Sequence, residues 1–408
     1  MKMSIVLSSS SRQNLLSLQS TADLLATTQN RLSTGKKVNS ALDNPTNFFT
    51  AQSLDSRASD ISNLLDGIGN GVQVLQAANT GITSLQKLVD TAKSIAQQVL
   101  QAPAGYSVKA SVTSLAPTGA GPLGVVGTAA DLTVGGTNSL GGKTFIFTPA
   151  TGAATTITLG IAAGQVNSID ALNTALSTAG LGLTASFATN GSITLTSSND
   201  NASQTLTLGA TAAPNNIAIG GTDTTTLVAG GLPTADAGSQ AIRANLISQY
   251  NGIITQITTS SQDSSFNGIN LLNGDDLKLT FNETGRSTLN IKGVTFNAAG
   301  LGLAALTAGT DFLDNASANR DLALLGSASS TLRTQASTLG SNLSIVQIRQ
   351  DFSKNLINVL QTGSSNLTLA DTNEEAANSQ ALSTRQSIAV SALALANQSQ
   401  QSVLQLLR

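Results

Sequence analysis

The sequence predicts an α+β fold, in which paired N- and C-terminal helices form a long antiparallel helical coiled-coil core with a β-hairpin, and a β-rich α+β domain is inserted. Three observations predict it. Apolar residues at alternating spacings of three and four recur in residues 1–103 and again in residues 239–408, as in helices that pack along heptad seams. Residues 104–238 are instead rich in Gly, Ala, Thr and Ser and contain period-two segments, which are typical of strands.

The first predicted helix lies near the N-terminus. Its seam includes Gln29 as the one polar member, and the apolar members are Leu15, Leu18, Ala22, Leu25 and Leu32. The helix is expected to end near Thr34, because Gly35 can adopt the left-handed conformation of a C-cap without steric cost.

A second helix is predicted to begin at Pro45, after the capping residues Asp43 and Asn44, and to end before Pro103. Four glycines between residues 67 and 81 weaken it by about 1 kcal/mol each. Its apolar seam consists of Ile61, Leu65, Ile68, Val72, Leu75 and Ile82, and then, after a shift, of Leu85, Val89, Ala92, Ala96 and Val99.

The middle zone predicts an α+β unit with a sparsely charged surface. Alternation of apolar and polar residues predicts strands at 143–148, 155–159, 183–188 and 192–196. Asn190-Gly191 lies between the last two strands and is a strong hairpin signal. One short helix is predicted from Ser168, its N-cap, to Ala179.

The third zone returns to long helices. A helix is predicted from about Ala237 to Ser261, followed by a hairpin with strands at 277–282 and 287–292. A capping box from Thr372 to Glu375 is expected to start a final helix of about 35 residues, roughly 50 Å long. Between the hairpin and that helix, another long helix is predicted by the heptad positions Leu325, Leu332, Ala336, Leu339, Leu343, Val346, Ile357 and Leu360.

The composition argues against enzymatic and nucleic-acid functions. The chain contains no His and no Cys, which removes the commonest general base, the usual zinc ligands and thiol nucleophiles. Charged residues make up 10% of the chain and the formal charge is -2, so no basic surface for nucleic acid is expected. The paired carboxylates Asp275-Asp276 and Glu374-Glu375 are interpreted as a turn and a first helical turn. We predict no catalytic site, no metal and no cofactor.

No cleavable signal peptide and no membrane span are expected. The apolar run near the N-terminus is limited to residues 5–7, far shorter than the apolar core of a signal peptide. The longest apolar stretch, residues 388–396, has nine residues and contains Ser391, whereas a span needs about 20 residues. If the protein leaves the cell, it is expected to be secreted without a cleaved signal.

The final helix is the feature that predicts self-assembly. Apolar side chains surround its axis over residues 388–396, and a helix that is apolar on every side must be enclosed on every side. The N-terminal helix can cover one face, so other copies of the chain are expected to cover the rest. Contacts that do not close into a ring generate a helical homopolymer. The predicted subunit-assembly residues are Leu15, Leu18, Leu25, Leu32, Ile388, Leu393, Leu395, Val403, Leu404 and Leu407. The alternative is that these residues are the core of a large monomer.

Three segments of the chain resemble the bacterial flagellin family. Residues 31–44, with the sequence RLSTGKKVNSALDN, resemble the family's N-terminal signature. Ser265-Phe266-Asn267-Gly268 resembles the segment before the family's β-hairpin, and residues 371–408 resemble its C-terminus. Within the insert, residues 167–172, 183–186 and 192–195 look like a small motif of flagellin and hook proteins.

The resemblance implies a structural subunit of the flagellar filament, an extracellular polymer used for swimming motility. It implies type III export and, besides other copies of the chain, three kinds of partner: an export chaperone at the C-terminal helix, the filament cap and hook-junction proteins. The implied parts are an inner coiled-coil core (1–42 and 371–408), a helical inner layer with the β-hairpin (43–103 and 239–370) and a surface-exposed outer domain (104–238).

Two other interpretations remain open from the sequence. A hook–filament junction protein shares similar ends but joins other components instead of propagating a polymer. A filament subunit with an adhesive outer domain would use residues 104–238 as a binding surface.

Overall fold

The computed structural model of the chain describes residues 9–116, 140, 142–148, 154–188, 190–208, 216–219 and 227–406. These residues form two compact units. Unit 1 is the described part of Met1–Gln73, Lys278–Ile291 and Asn342–Arg408, and unit 2 is the described part of Val74–Leu277 and Lys292–Ser341. The α+β fold class is confirmed.

Most of unit 1 is helical, and unit 2 contains both helices and sheets. The helices are α1 (Ser9–Thr34), α2 (Pro45–Gln101), α3 (Ile169–Thr178), α4 (Ala237–Asp263), α5 (Asn315–Thr368) and α6 (Thr372–Leu406). Each lies within two residues of a predicted boundary where one was given. Gly35 adopts φ +69° directly after α1, as its predicted role in ending that helix requires.

The helix N-caps confirm one prediction and correct another. Ser168 Oγ accepts a hydrogen bond from Ala171 N at the start of α3, as predicted. At α6 the predicted capping box is wrong, because the cap is Asp371 and Thr372 is already helical. The Asp371 carboxylate accepts from the backbone N–H groups of Asn373 and Glu374, at 2.9 and 3.3 Å. A charged acceptor one residue earlier satisfies these free donors, so Glu375 is not needed for capping.

The predicted seam of α2 is buried, and two of its glycines have a packing role. Leu65 and Val72 are half-buried, and the other predicted positions are buried. A Cβ atom at Gly71 would collide with Leu279 of the hairpin, and one at Gly81 would collide with Ser264 and Leu272. The glycines therefore weaken the helix locally but allow neighbouring elements to approach it closely.

In unit 1, α2 and α5 pack side by side in opposite directions. Gly363 lies beside Leu54, and Gln350 lies beside Gly69. Between these points a small apolar cluster contains Ala58, Ile61 and Leu360. The hairpin strands are β11 (Leu277–Thr280) and β12 (Thr288–Ile291). The hairpin turn is held by Arg57, whose Nε donates to Glu283 Oε1 at 2.6 Å.

The β-rich part of unit 2 contains two four-stranded sheets and a two-stranded pair. One sheet has the order β5-β6-β2-β9 and is antiparallel, and the other has the order β4-β3-β8-β7 with only the β7–β8 pair parallel. The strands are β1 (Tyr106–Val108), β2 (Ser111–Ser114), β3 (Thr144–Thr148), β4 (Thr155–Thr158), β5 (Leu183–Phe187), β6 (Ile193–Ser197), β7 (Thr207–Leu208), β8 (Asn216–Ile219), β9 (Leu227–Ala229) and β10 (Thr234–Ala235). The four predicted strands of this zone are β3 to β6.

A single apolar core joins α3 to both sheets. Leu172 and Leu176 of α3 are fully buried against residues that include Val112, Phe145 and Leu195. The predicted helix and strands therefore contribute to one core, as their amphipathic patterns indicate.

Where the insert meets the helices, a buried arginine connects three chain segments. Arg243 of α4 is 1% exposed. Its guanidinium donates to the carbonyl oxygens of Pro103 and Phe312, at 3.1 and 3.0 Å, and to Asn315 Oδ1 at 3.2 Å. Burial lowers the pKa of Arg243, and the nearby Asp314 opposes that change. All three contacts satisfy donors that would otherwise be costly to bury.

Candidate assembly surface

The terminal helices α1 and α6 form an antiparallel pair within unit 1. Near the C-terminal end of α1, Arg31 Nη1 lies 3.2 Å from Glu375 Oε1 in the first turn of α6. Further along, Asn14 and Thr21 line a groove together with Ala389 and Ala392. The Glu375 side chain is 11% exposed and that of Arg31 is 38% exposed, so this ion pair is partly shielded from water and connects the end of α1 to the start of α6.

The surface between α1 and α6 is half polar. The α1 residues that are not exposed mostly follow spacings of three and four: Ser11, Asn14, Leu18, Thr21, Ala22, Leu25, Thr28 and Arg31. The corresponding α6 residues are Glu375, Ser379, Leu382, Gln386, Ala389, Leu393 and Ala396. Gln29, predicted as the polar seam member, is exposed, and Thr28 is buried in its place. The predicted seam members Leu18, Ala22 and Leu25 are half-buried, whereas Leu15 and Leu32 are exposed. The face of α1 that meets α6 is therefore turned only partly away from the most apolar stripe.

The large apolar side chains of both helices point mainly to solvent. On α6, Ile388, Val390 and Leu395 are 63%, 51% and 69% exposed. On α1, Leu15, Leu16, Leu24 and Leu32 are all exposed. Exposed apolar residues grouped in this way are typical of association surfaces.

The structure divides the predicted assembly residues into two groups. Leu18, Leu25 and Leu393 are half-buried on the α1–α6 seam. The exposed group is Leu15, Leu32, Ile388 and Leu395. Val403 and Leu404 belong to α6, but their side chains lie outside the description, and Leu407 lies outside the described residues. The assembly role of all ten residues remains a prediction.

The two linkers beside the terminal helices are hydrogen-bonded to each other. Lys36 and Leu369 form an isolated antiparallel bridge. Lys37 N donates to Thr368 O at 2.7 Å, and Ala370 N donates to Gly35 O at 3.0 Å. The linker after α1 and the linker before α6 are therefore held together by backbone hydrogen bonds.

A second exposed apolar stripe lies on the part of α5 that belongs to unit 1. It consists of Ile345, Ile348, Phe352 and Val359, which are 45–66% exposed. This stripe was not predicted, because the heptad positions assigned to α5 formed one seam that does not include these residues. The signal that could have found it is the second set of three- and four-residue spacings.

The described residues contain no group of three or more metal-binding side chains. None of the described helices is long and apolar enough to cross a membrane.

Comparison with known proteins identifies both ends of the chain. Residues 6–115 match the model of the bacterial flagellin N-terminal helical region, and residues 322–407 match that of the bacterial flagellin C-terminal helical region. Both ends of the chain thus match the bacterial flagellin family. The two matches include all of α1, α2 and α6 and most of α5.

Individual flagellins are similar to this chain over part of their length. Flagellin FljM of Caulobacter vibrioides is 33% identical over 165 residues, which is 40% of this chain and 59% of the relative. Flagellin A of Rhizobium meliloti is 33% identical over 124 residues, or 30% of this chain and 27% of the relative. The flagellin of Brucella melitensis is 27% identical over 192 residues, or 43% and 66%. The chain thus spans less than two thirds of each of these relatives.

Proposed function

We propose that this flagellin-family chain is a structural subunit that polymerises helically through its terminal helices into an extracellular bacterial flagellar filament, which serves swimming motility. The observation that carries the proposal is the inverted polarity of the α1–α6 pair. Polar residues such as Thr28 and Gln386 lie toward the seam, whereas Ile388 and Leu395 face solvent. A stable monomer gains most by the opposite arrangement.

In this proposal the terminal segments 1–42 and 371–408 form the inner core of the filament. The helical segments 43–103 and 239–370 surround it, and residues 104–238 project outward. Family membership is also the basis for proposing an export chaperone, a filament cap and hook-junction proteins as partners. The chain is proposed to have no enzymatic role.

The test is elongation of purified protein from sheared filament fragments, followed by electron microscopy. Wild-type chain is expected to elongate into long filaments, and Ile388→Asp is expected to block elongation, because a carboxylate would be buried at the contact between copies. Asn373→Asp is the matched control, since it adds the same charge to an exposed position of the first turn of α6, where a negative charge is favourable.

Three outcomes separate the possibilities. Loss of elongation with Ile388→Asp and its retention with Asn373→Asp supports the proposal. Normal elongation of Ile388→Asp contradicts the role of this surface. Wild-type protein that binds the fragments but never elongates would favour a junction protein over a filament subunit.

A further inference from the structure

The linker between α1 and α2 presents one leucine almost entirely to solvent. Leu42 is 96% exposed, and it lies in a loop whose backbone is hydrogen-bonded to the Asp43 side chain. Asp43 Oδ2 accepts hydrogen bonds from Asn39 N at 2.9 Å, from Ser40 N at 2.8 Å and from Ser40 Oγ at 3.2 Å. Leu42 N donates to Ser40 Oγ at 3.3 Å. An ordered loop with a free leucine at its tip loses little conformational freedom when that leucine is buried by a partner.

The same loop carries a negative charge beside the leucine. Hydrogen bonds from the backbone of Ser40 and Asn39 lower the pKa of Asp43, so its carboxylate is ionised at neutral pH. Its second oxygen, Oδ1, accepts no hydrogen bond from the residues that the structure describes. Leu42 and Asp43 therefore form a surface knob with an apolar tip and an anionic side.

A groove on the terminal helix pair has the complementary character. It has a volume of about 350 Å³ and lies between α1 and α6. Ile388, Ala389 and Ala392 give it apolar walls, and Arg385 supplies one positive charge, with Asn14, Ser17 and Thr21 on the α1 side. Arg385 forms no ion pair within the described part of the chain. The groove is large enough for a leucine side chain and has a cation available for a neighbouring carboxylate.

Within one chain, the knob at Leu42 and the groove between α1 and α6 are too far apart to contact each other. The linker begins at Gly35, 18 residues after Ser17, which corresponds to roughly 27 Å along α1. The knob can therefore fill this groove only in another copy, and the two copies must be staggered along the helix axis. Such a contact joins two different surfaces and does not close on itself, so it propagates.

We propose that Leu42 of one copy inserts into the α1–α6 groove of a second copy, where Asp43 of the first copy pairs with Arg385 of the second. This inference rests on the proposed function, because it assigns a specific contact within the polymer. It also implies a stagger of those two copies on the order of the roughly 27 Å that separates Ser17 from Gly35 along α1.

The contact can be tested by disulfide cross-linking, because the chain contains no cysteine of its own. The variant Leu42→Cys/Ala392→Cys is polymerised on filament fragments, checked by microscopy, oxidised and run on a non-reducing denaturing gel. A ladder of covalent multimers is expected. The matched control Leu42→Cys/Val390→Cys has its second cysteine on another exposed face of α6, and it is expected to remain largely monomeric, as are the single variants.

Absence of the ladder in filaments of Leu42→Cys/Ala392→Cys, or an equally strong ladder in the Val390→Cys control, overturns the contact and leaves the proposed function intact. Failure of the wild-type chain to elongate overturns both.

A second measurement does not depend on cysteine chemistry. Leu42→Ser is expected to leave the circular dichroism of the monomer unchanged, since Leu42 is almost fully exposed. It is expected to raise the critical concentration for elongation about tenfold or more, because one leucine is no longer buried at each contact. Arg385→Gln is expected to raise it less and to reduce its dependence on salt. An unchanged critical concentration for Leu42→Ser contradicts the proposal.

Discussion

The terminal helix pair and the helical part of unit 2 use apolar residues in opposite ways. In unit 2, Leu75, Ile82 and Leu85 of α2 are completely buried, and so are Leu325 and Leu332 of α5. In the α1–α6 pair, most large apolar side chains are exposed and the seam contains Ser, Thr, Asn and Gln. Both regions satisfy a heptad pattern. The comparison shows that the pattern predicts a helix with an apolar side, whereas the rotation of the helix decides whether that side is buried within the chain.

The largest expected difference concerns the loss of one leucine in each region. Leu85→Ala removes a fully buried side chain, so it should lower the free energy of unfolding by about 2–5 kcal/mol. Leu393→Ala removes a half-buried side chain on the α1–α6 seam and should cost less than about 1 kcal/mol in the unassembled chain. Urea denaturation of the monomers measures both. Equal losses would show that the terminal pair is as well packed as unit 2.

One buried residue of unit 2, Asp321, is acidic and not apolar. Asp321 of α5 is buried, and its Oδ2 has no hydrogen-bond partner in the described structure. Burial raises the pKa of Asp321, with a contribution from Asp311 that Arg320 opposes. Asp321→Asn should therefore increase the free energy of unfolding at neutral pH by about 1–3 kcal/mol.

The pH dependence of that gain follows from the direction of the shift. Because the folded state holds the Asp321 proton more tightly than the unfolded state, the cost of the charge is absent below the unfolded pKa near 3.8. The cost grows as the pH rises from there and is complete above the raised pKa. The advantage of Asp321→Asn should thus shrink as the pH falls toward 4. Denaturation of both proteins over pH 4–7 measures it, and a constant difference would rule out ionisation as the cause.

The smallest expected effect comes from making the terminal seam more apolar. Thr28→Val replaces a buried hydroxyl with a methyl group of similar size. It should stabilise the α1–α6 pair in the monomer by about 1 kcal/mol and slow hydrogen exchange of the α1 backbone amides. Thr27→Val, on the exposed neighbouring position, is the control and should leave exchange nearly unchanged. Faster exchange in Thr28→Val would mean that the hydroxyl stabilises the seam.

Several features of the fold followed from local sequence alone. The end of α1 at Gly35, the N-cap at Ser168 and the buried seam of α2 all depend on residues within a few turns of one another. Short-range steric and hydrogen-bonding rules fix such features. The strands β3 to β6 were predictable for the same reason, since their alternation of apolar and polar residues is visible in each strand by itself.

Other features depend on residues that are distant in the chain. The short strands β1, β2 and β7 to β10 carry little pattern of their own, and β2 exists because it pairs with β6 and β9. Glu375, expected to cap α6, instead pairs with Arg31, which lies 344 residues earlier.

The sequence by itself therefore determined that both ends of this chain are long helices with apolar residues in excess of what one partner helix can cover. Only the tertiary structure decided which face of α1 meets α6, and hence that Thr28 and not Gln29 is buried while Leu15 and Leu32 remain exposed. The physical reason is that helix periodicity is a local property, whereas rotation about the helix axis is set by the packing partner.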